Sequence, residues 1–191
     1  MEKVKANTVC ITRYNKQTLG ERNKWLLNNP KYKCIYKSPI AIKSSIPYET
    51  RLFVLEMNND TNQIIGIGII VNEVRMDRGY QVYEDGNYNR YTYLGSERID
   101  RSEIMKSKQN VIVIETLERL LFYGPRHSKR GQGIHELPKH ILRNKFGFSF
   151  TGYFSHMFHE ILQRNRFIEK GRLKLMKYKN DKKIVEHVQQ Y

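Results

Sequence analysis

Arg51-Leu52-Phe53-Val54-Leu55-Glu56-Met57, the turn Asn58-Asn59-Asp60-Thr61-Asn62, and the run from Gln63 to Val74 that contains Ile64-Ile65-Gly66-Ile67-Gly68-Ile69-Ile70-Val71 read as one β-hairpin. Two apolar, β-branched segments flank five residues of turn chemistry, and neither segment has a helical spacing of its apolar positions. Gly66 and Gly68 alternate with isoleucines, so one face of the second strand lacks side chains there. That pattern predicts strong curvature or a bulge first, and close approach of another group second.

On the N-terminal side, Thr8 to Tyr14 carries the β-branched content of a strand. Asn15 is placed to cap a helix containing Thr18, Leu19, Trp25, Leu26 and Leu27, which Asn28-Asn29-Pro30 ends. A short strand at Tyr32 to Tyr36 and an irregular segment with Pro39 and Pro47 precede the hairpin. On the C-terminal side, Arg75 to Asn89 is polar and punctuated by glycine, a long loop, and Arg90 to Ile99 reads as a further strand. From Asn110 to Tyr123 the apolar residues Val111, Ile114, Leu117, Leu120 and Leu121 recur at helical spacing, opposite Glu115, Glu118 and Arg119. A second helix is predicted from Phe150 to Gln163, with His156 and His159 on its polar face. Lys170 to Lys183 reads as a short strand or a frayed tail. No internal repeat interrupts this order. The expectation is an α+β chain forming a single domain over residues 1–191, with a core at about 8–168 and a basic segment at 169–191. A curved mixed β-sheet or small barrel flanked by helices is its expected architecture.

The chain has 191 residues, 34 Lys+Arg and 19 Asp+Glu, a formal charge of +15. From Gly124 to Tyr191 fifteen basic residues face five acidic ones, so most of the excess sits in the last third. Such a balance makes a polyanion the default partner, nucleic acid before an acidic membrane. Cys10 and Cys34 stand in apolar surroundings without disulfide or zinc spacing, and read as reduced, buried thiols. No signal peptide opens the chain and no run of 18 apolar residues occurs, so an intracellular protein, cytoplasmic or nuclear and not secreted, is expected, with no membrane partner. The sequence leaves the oligomeric state open.

Candidate chemistry concentrates in Gly124-Pro125-Arg126-His127-Ser128-Lys129-Arg130-Gly131-Gln132-Gly133. Arg126, Lys129 and Arg130 offer fixed charge and His127 a further donor, while the Gly131-Gln132-Gly133 backbone exposes amides, a composition suited to phosphate. A second cluster lies upstream. Tyr80, Tyr83, Tyr88, Tyr91 and Tyr93 interleave with Arg75, Arg78, Arg90, Arg98 and Arg101, the basic and aromatic texture of a nucleic-acid surface. Tyr83, Tyr88 and Tyr91 are the candidates for stacking on bases and Arg75, Arg78 and Arg90 for phosphates, and about half of the tyrosines are expected to be structural. Catalytic residues are not expected, nor a cofactor or metal. His156 and His159 stand three apart, off the spacing of helical zinc motifs, and the carboxylates Glu56, Asp60, Asp77, Asp85, Glu97 and Asp100 show no convergent pattern.

Two resemblances follow from these residues. The hairpin followed by Lys129-Arg130-Gly131-Gln132-Gly133-Ile134 resembles the strand pair and coenzyme-A pyrophosphate loop of the GNAT-type N-acetyltransferases, which implies acetyl transfer from acetyl-coenzyme A. The N-terminal strand and helix, the hairpin with Ile64-Ile65-Gly66-Ile67-Gly68-Ile69-Ile70 and the strand around Tyr91 to Ile99 are similar to PUA-like domains of the EVE, ASCH and YTH groups. This second resemblance spans roughly residues 8 to 140 and implies a compact β-barrel that binds RNA or DNA, in several members through a modified-base pocket. The expected function is therefore nucleic-acid binding without catalysis, RNA or single-stranded regions first, with a modified-base reader as its variant. The acetyltransferase is the alternative, and a nuclease ranks last.

Overall fold

In the computed structural model, which describes residues 8–77, 79–142 and 147–188, with side chains through residue 173, the hairpin forms as predicted. β3 (Arg51–Asn58) and β4 (Gln63–Val71) pair antiparallel, with a register shift between Glu56 and Met57. β1 (Thr8–Tyr14) lies parallel to β3 on its other side, so β3 is buried from Leu52 to Asn58. Residues Val54, Cys10, Leu52 and Ile70 join Tyr36 and Tyr93 in one core cluster. Cys10 and Cys34 are free, buried thiols, and burial pushes each up to about 12, which leaves them unreactive.

The segment predicted as one strand from Arg90 to Ile99 is two. β5 (Tyr91–Gly95) pairs antiparallel with β2 (Cys34–Ser38), and after Ser96 the chain changes partner, so that β6 (Glu97–Asp100) pairs with β4. Side-chain alternation carries no information about a change of partner, which is why the sequence reads through it. A two-residue strand, β7 (His135–Glu136), completes a five-stranded mixed sheet in the order β6-β4-β3-β1-β7, beside the β2–β5 ribbon. The fold is α+β, with no closed barrel among the described residues, because β5 pairs with β2 instead of joining the open ends of the sheet. β2 also sits two residues later than predicted, and thereby buries Lys37 and Ser38, which polarity alone assigns to a loop.

One charged group lies in the centre of this sheet. Glu56 is fully buried, and its carboxylate accepts hydrogen bonds from Arg22, Arg98 and the Tyr36 hydroxyl, the last at 2.8 Å. Gly68 makes this possible: a Cβ there would collide with the Tyr36 hydroxyl, so the bare backbone of β4 admits the phenol that reaches Glu56. The alternating glycines thus serve close approach of the protein's own side chains. Burial alone would raise the Glu56 pKa, but Arg22 and Arg98, aided by the hydrogen bonds from Arg98 and Tyr36, hold it below the ordinary value.

Asn15 caps α1 (Lys16–Leu27) as predicted. Its side chain accepts from the Thr18 amide at 2.8 Å while Thr18 Oγ1 accepts from the Asn15 amide at 3.1 Å, a reciprocal capping box. Replacing Asn15 with alanine is expected to cost about 1 kcal/mol, read as a lower denaturant midpoint with an unchanged m-value. After the four-residue α2 (Arg101–Ile104) comes α3 (Lys108–Phe122), where the predicted polar face is only partly polar. Glu118 is buried, accepts from the Ile64 amide at 2.7 Å, and pairs with Arg101, tying the helix to the start of β4. α4 (Lys139–Leu142) is short. α5 runs from Phe150 to Val188, well beyond the predicted end at Gln163, so the helix continues through the segment read as a strand or tail. The chain divides into two compact units, Met1–Phe154 and Ser155–Tyr191. No helix among the described residues is long and apolar enough to cross a membrane.

Candidate nucleic-acid interface

β1 and α1 meet at a corner, Arg13-Tyr14-Asn15, because the strand ends where the Asn15 cap turns the chain. The Gly124–Gly133 loop folds back over that corner, held by three neighbouring segments. Arg13 Nε donates to the Ser128 carbonyl, Asn59 Nδ2 donates to the Lys129 carbonyl at 3.0 Å, and Gln132 Nε2 donates to the Tyr88 hydroxyl at 3.2 Å. Lys129 Nζ donates to Asn62 Oδ1 at 2.8 Å, and His135 Nε2 lies 2.6 Å from the Gln132 carbonyl. Gly131 and Gly133 have φ of 119° and 77°. At Gly133 a Cβ would also collide with Ser38 Oγ, so only glycine fits. The loop leads into β7 and opens no helix, so it lacks the helix N-terminus on which a coenzyme pyrophosphate would rest.

Beneath the loop is a cavity of about 150 Å³. Its walls come from Thr12 to Asn15 and Thr18, from Lys37 on β2, from Asn59 in the hairpin turn, from Tyr83 and Tyr88, and from Gly131 to Gly133. A volume of this order takes a single ring or one small anion, well short of the several hundred Å³ of a coenzyme-sized site. None of the lining residues is acidic. Lys37 is only 5% exposed and donates to the Tyr80 carbonyl at 2.5 Å and to Thr92 Oγ1 at 2.7 Å, and burial lowers its pKa to about 8. Arg13 is likewise pushed down by burial, to about 10, and its Nη1 is buried with no hydrogen-bond partner.

The sequence-predicted residues distribute unevenly. Gly131, Gln132, Gly133, Tyr83 and Tyr88 line the cavity. Arg126 and Arg130 are exposed at the loop surface, with no ion pair or side-chain hydrogen bond to the described residues, while Lys129 and His127 are half-buried within it. Tyr91 is half-buried against the core and pairs with Ser38, which lies under Gly133. Arg90 is exposed and donates to Asn87 Oδ1 at 3.2 Å. Arg75 belongs elsewhere: it lines an open groove of about 590 Å³ with Lys31, Tyr32 and Arg51, at the other end of β3. Arg78 lies outside the described residues. Of the remaining members of the basic and aromatic texture, Tyr80 and Tyr93 are core residues, Arg98 is engaged by Glu56 and Asp100, and Arg101 by Glu118.

No family model, curated protein or solved structure matches the chain significantly. The cavity's members Arg13, Lys37 and Asn59 escaped the sequence reading, and the signal for two of them is a single cation inside each of the strands Thr8–Tyr14 and Cys34–Ser38. Trp25 stacks on Tyr32 at 5.8 Å and does not line the cavity, so tyrosines are its aromatic walls. Among the described residues no group of three metal-ligating side chains occurs. His156 pairs with Glu160 at 3.3 Å and His159 with Gln163 at 2.9 Å, both on the exposed face of the second unit.

Proposed function

We propose that this chain binds nucleic acid, single-stranded RNA before DNA, through the loop at Gly124–Gly133 and the tyrosines beside it. Arg126, Lys129 and Arg130 hold backbone phosphates, and Tyr88, backed by the buried Tyr83, offers a stacking surface for a base at the mouth of the cavity. The observation that carries this reading is the carboxylate-free cavity under the glycine loop, with the buried Lys37, the half-buried Arg13 and three tyrosines, Tyr14, Tyr83 and Tyr88, in its walls. Charge supplies most of the affinity, since +15 on 191 residues favours counterion release from any polyanion. The open sheet with its β2–β5 ribbon is, in this reading, a PUA-like arrangement. A modified base is accommodated only as a polar variant, because Arg13, Asn15, Lys37 and Asn59 leave no apolar cage.

Replacing both Arg126 and Arg130 with alanine tests the loop. Both side chains are exposed, so the fold should melt as before. Affinity for every single-stranded sequence is expected to fall together, and the slope of log K against log salt to become shallower by about 1.4, two contacts at ~0.7 each. Fluorescence anisotropy of labelled RNA at several salt concentrations reads both. An unchanged slope would remove the loop from the interface.

A further inference from the structure

Arg13 and Lys37 line one cavity, and among the described residues no carboxylate pairs with either of them. Among the described residues the other buried charges are balanced: Arg22 and Arg98 meet on Glu56, and Arg101 meets Glu118. The cavity departs from that rule. Two of the three Lys37 ammonium donors are taken, by a carbonyl and a hydroxyl, and neither acceptor carries a charge. One guanidinium nitrogen of Arg13 has no acceptor at all. Cations withdrawn from water without a counter-charge are costly to hold, and a cavity that keeps two of them in its walls is built for an anion that comes from outside.

We propose that the cavity takes the terminal phosphate monoester of a nucleic-acid strand. This rests on the reading of the chain as a nucleic-acid binder and adds which part of the strand enters. Three further observations fit a phosphate. The volume of about 150 Å³ admits one such group and excludes a whole nucleotide. Gly131, at φ 119°, lays bare backbone against the Arg13 guanidinium, the close approach that lets amides and a cation share one anion. Tyr88 and Tyr83, in T-shaped contact at 6.2 Å, flank the cavity where the terminal base would stack. An internal phosphate diester is attached on both sides and would have to bring both neighbouring nucleosides into a cavity of this size, whereas a terminal monoester brings one, and it carries additional charge for the two cations. Asn59 contributes the remaining polar atom. Its Nδ2 is fixed on the Lys129 carbonyl, which leaves the buried, unpartnered Oδ1 to accept from a protonated phosphate oxygen.

The probe is one short single-stranded RNA made in three forms, with 5′-phosphate, with 3′-phosphate and with hydroxyls at both ends, the dye placed internally. Anisotropy with the full chain should show one phosphorylated form binding at least about tenfold tighter than the hydroxyl form, the scale of one hydrogen bond to a charged group, and the two phosphorylated arms show which end enters. Lys37→Met and Arg13→Met should each reduce that ratio towards one, and Lys37→Arg, which keeps the charge, should restore most of it. Arg126→Ala with Arg130→Ala should weaken all three forms alike and leave the ratio intact. Equal affinity for the three forms in the unaltered protein overturns the inference while leaving the loop as a phosphate-binding surface. A ratio that survives both Lys37→Met and Arg13→Met places the terminal phosphate elsewhere and overturns it too. Absence of salt-dependent binding to any form overturns the proposed function and the inference together.

Discussion

Glu56→Gln should be the most destabilising isosteric change in this protein, costing about 3–5 kcal/mol, the range for breaking a buried ion pair from one side. The substitution keeps the shape of the side chain and removes the charge that Arg22 and Arg98 share. Arg22 is 2% exposed and Arg98 sits at the edge of the same pocket of charge, so neither can recover the loss from water. Arg22 also lies over the Tyr14 ring, 4.9 Å from its centroid, which fixes its head group in place. In a chain of this size the loss corresponds to a melting temperature lower by about 10 °C. The pH dependence distinguishes charge from shape. Because the folded-state pKa of Glu56 is depressed, its stabilisation is present above the unfolded carboxyl value and disappears as pH falls through the folded one. The wild-type chain should therefore lose stability on acidification with a component that Glu56→Gln lacks, and the two midpoints should converge in acid. Equal midpoints at neutral pH would mean that the arginines are solvated rather than held.

Gly133→Ala is expected to damage the interface and the fold together. An L-residue at φ 77° costs about 1–2 kcal/mol by itself, and the added methyl would collide with Ser38 Oγ. Ser38 cannot withdraw easily, since its hydroxyl donates to the Ile40 carbonyl at 2.5 Å and accepts from the Ile40 amide at 3.3 Å. The loop would lift from β2, opening the cavity between Gly131 and Lys37. The melting temperature should drop by roughly 4–8 °C for about 2 kcal/mol, and affinity for single-stranded RNA should fall at least about tenfold, the loss of one charged contact. Alanine at Gly124, whose φ is also positive but which has open space around it, separates the two effects: it should cost stability and spare binding. If both substitutions weaken RNA binding equally, the cavity beneath Gly133 has no part in it.

The elements legible in the sequence are those whose cause is local. The hairpin at Arg51–Val71, the Asn15 cap and the amphipathic α3 follow from turn chemistry, a capping residue and an apolar period, each complete within a few neighbouring residues. The glycine loop was legible as a phosphate-suited composition for the same reason. Elements misread were those decided by a distant partner. Ser96 looks like the interior of a strand until β2 and β4 claim its two sides, and Glu118 looks like a surface residue until the Ile64 amide needs an acceptor.

The site divides along the same line. Sequence alone determined that the chain is basic, that its charge leans to the last third, and that Arg126, Lys129, Arg130 and the glycines beside them share one loop, because composition and backbone freedom are properties of the residues themselves. Only the tertiary structure decided that the loop closes over Arg13 and Lys37, that Tyr83 and Tyr88 join it while Arg75 does not, and that Arg98 and Arg101 are committed to Glu56 and Glu118. Whether a cation is a structural partner or an unbalanced charge depends on which carboxylate stands opposite it. For Arg98 and Arg101 the buried carboxylates, Glu56 and Glu118, lie 42 and 17 residues away in the chain, beyond the reach of any local pattern.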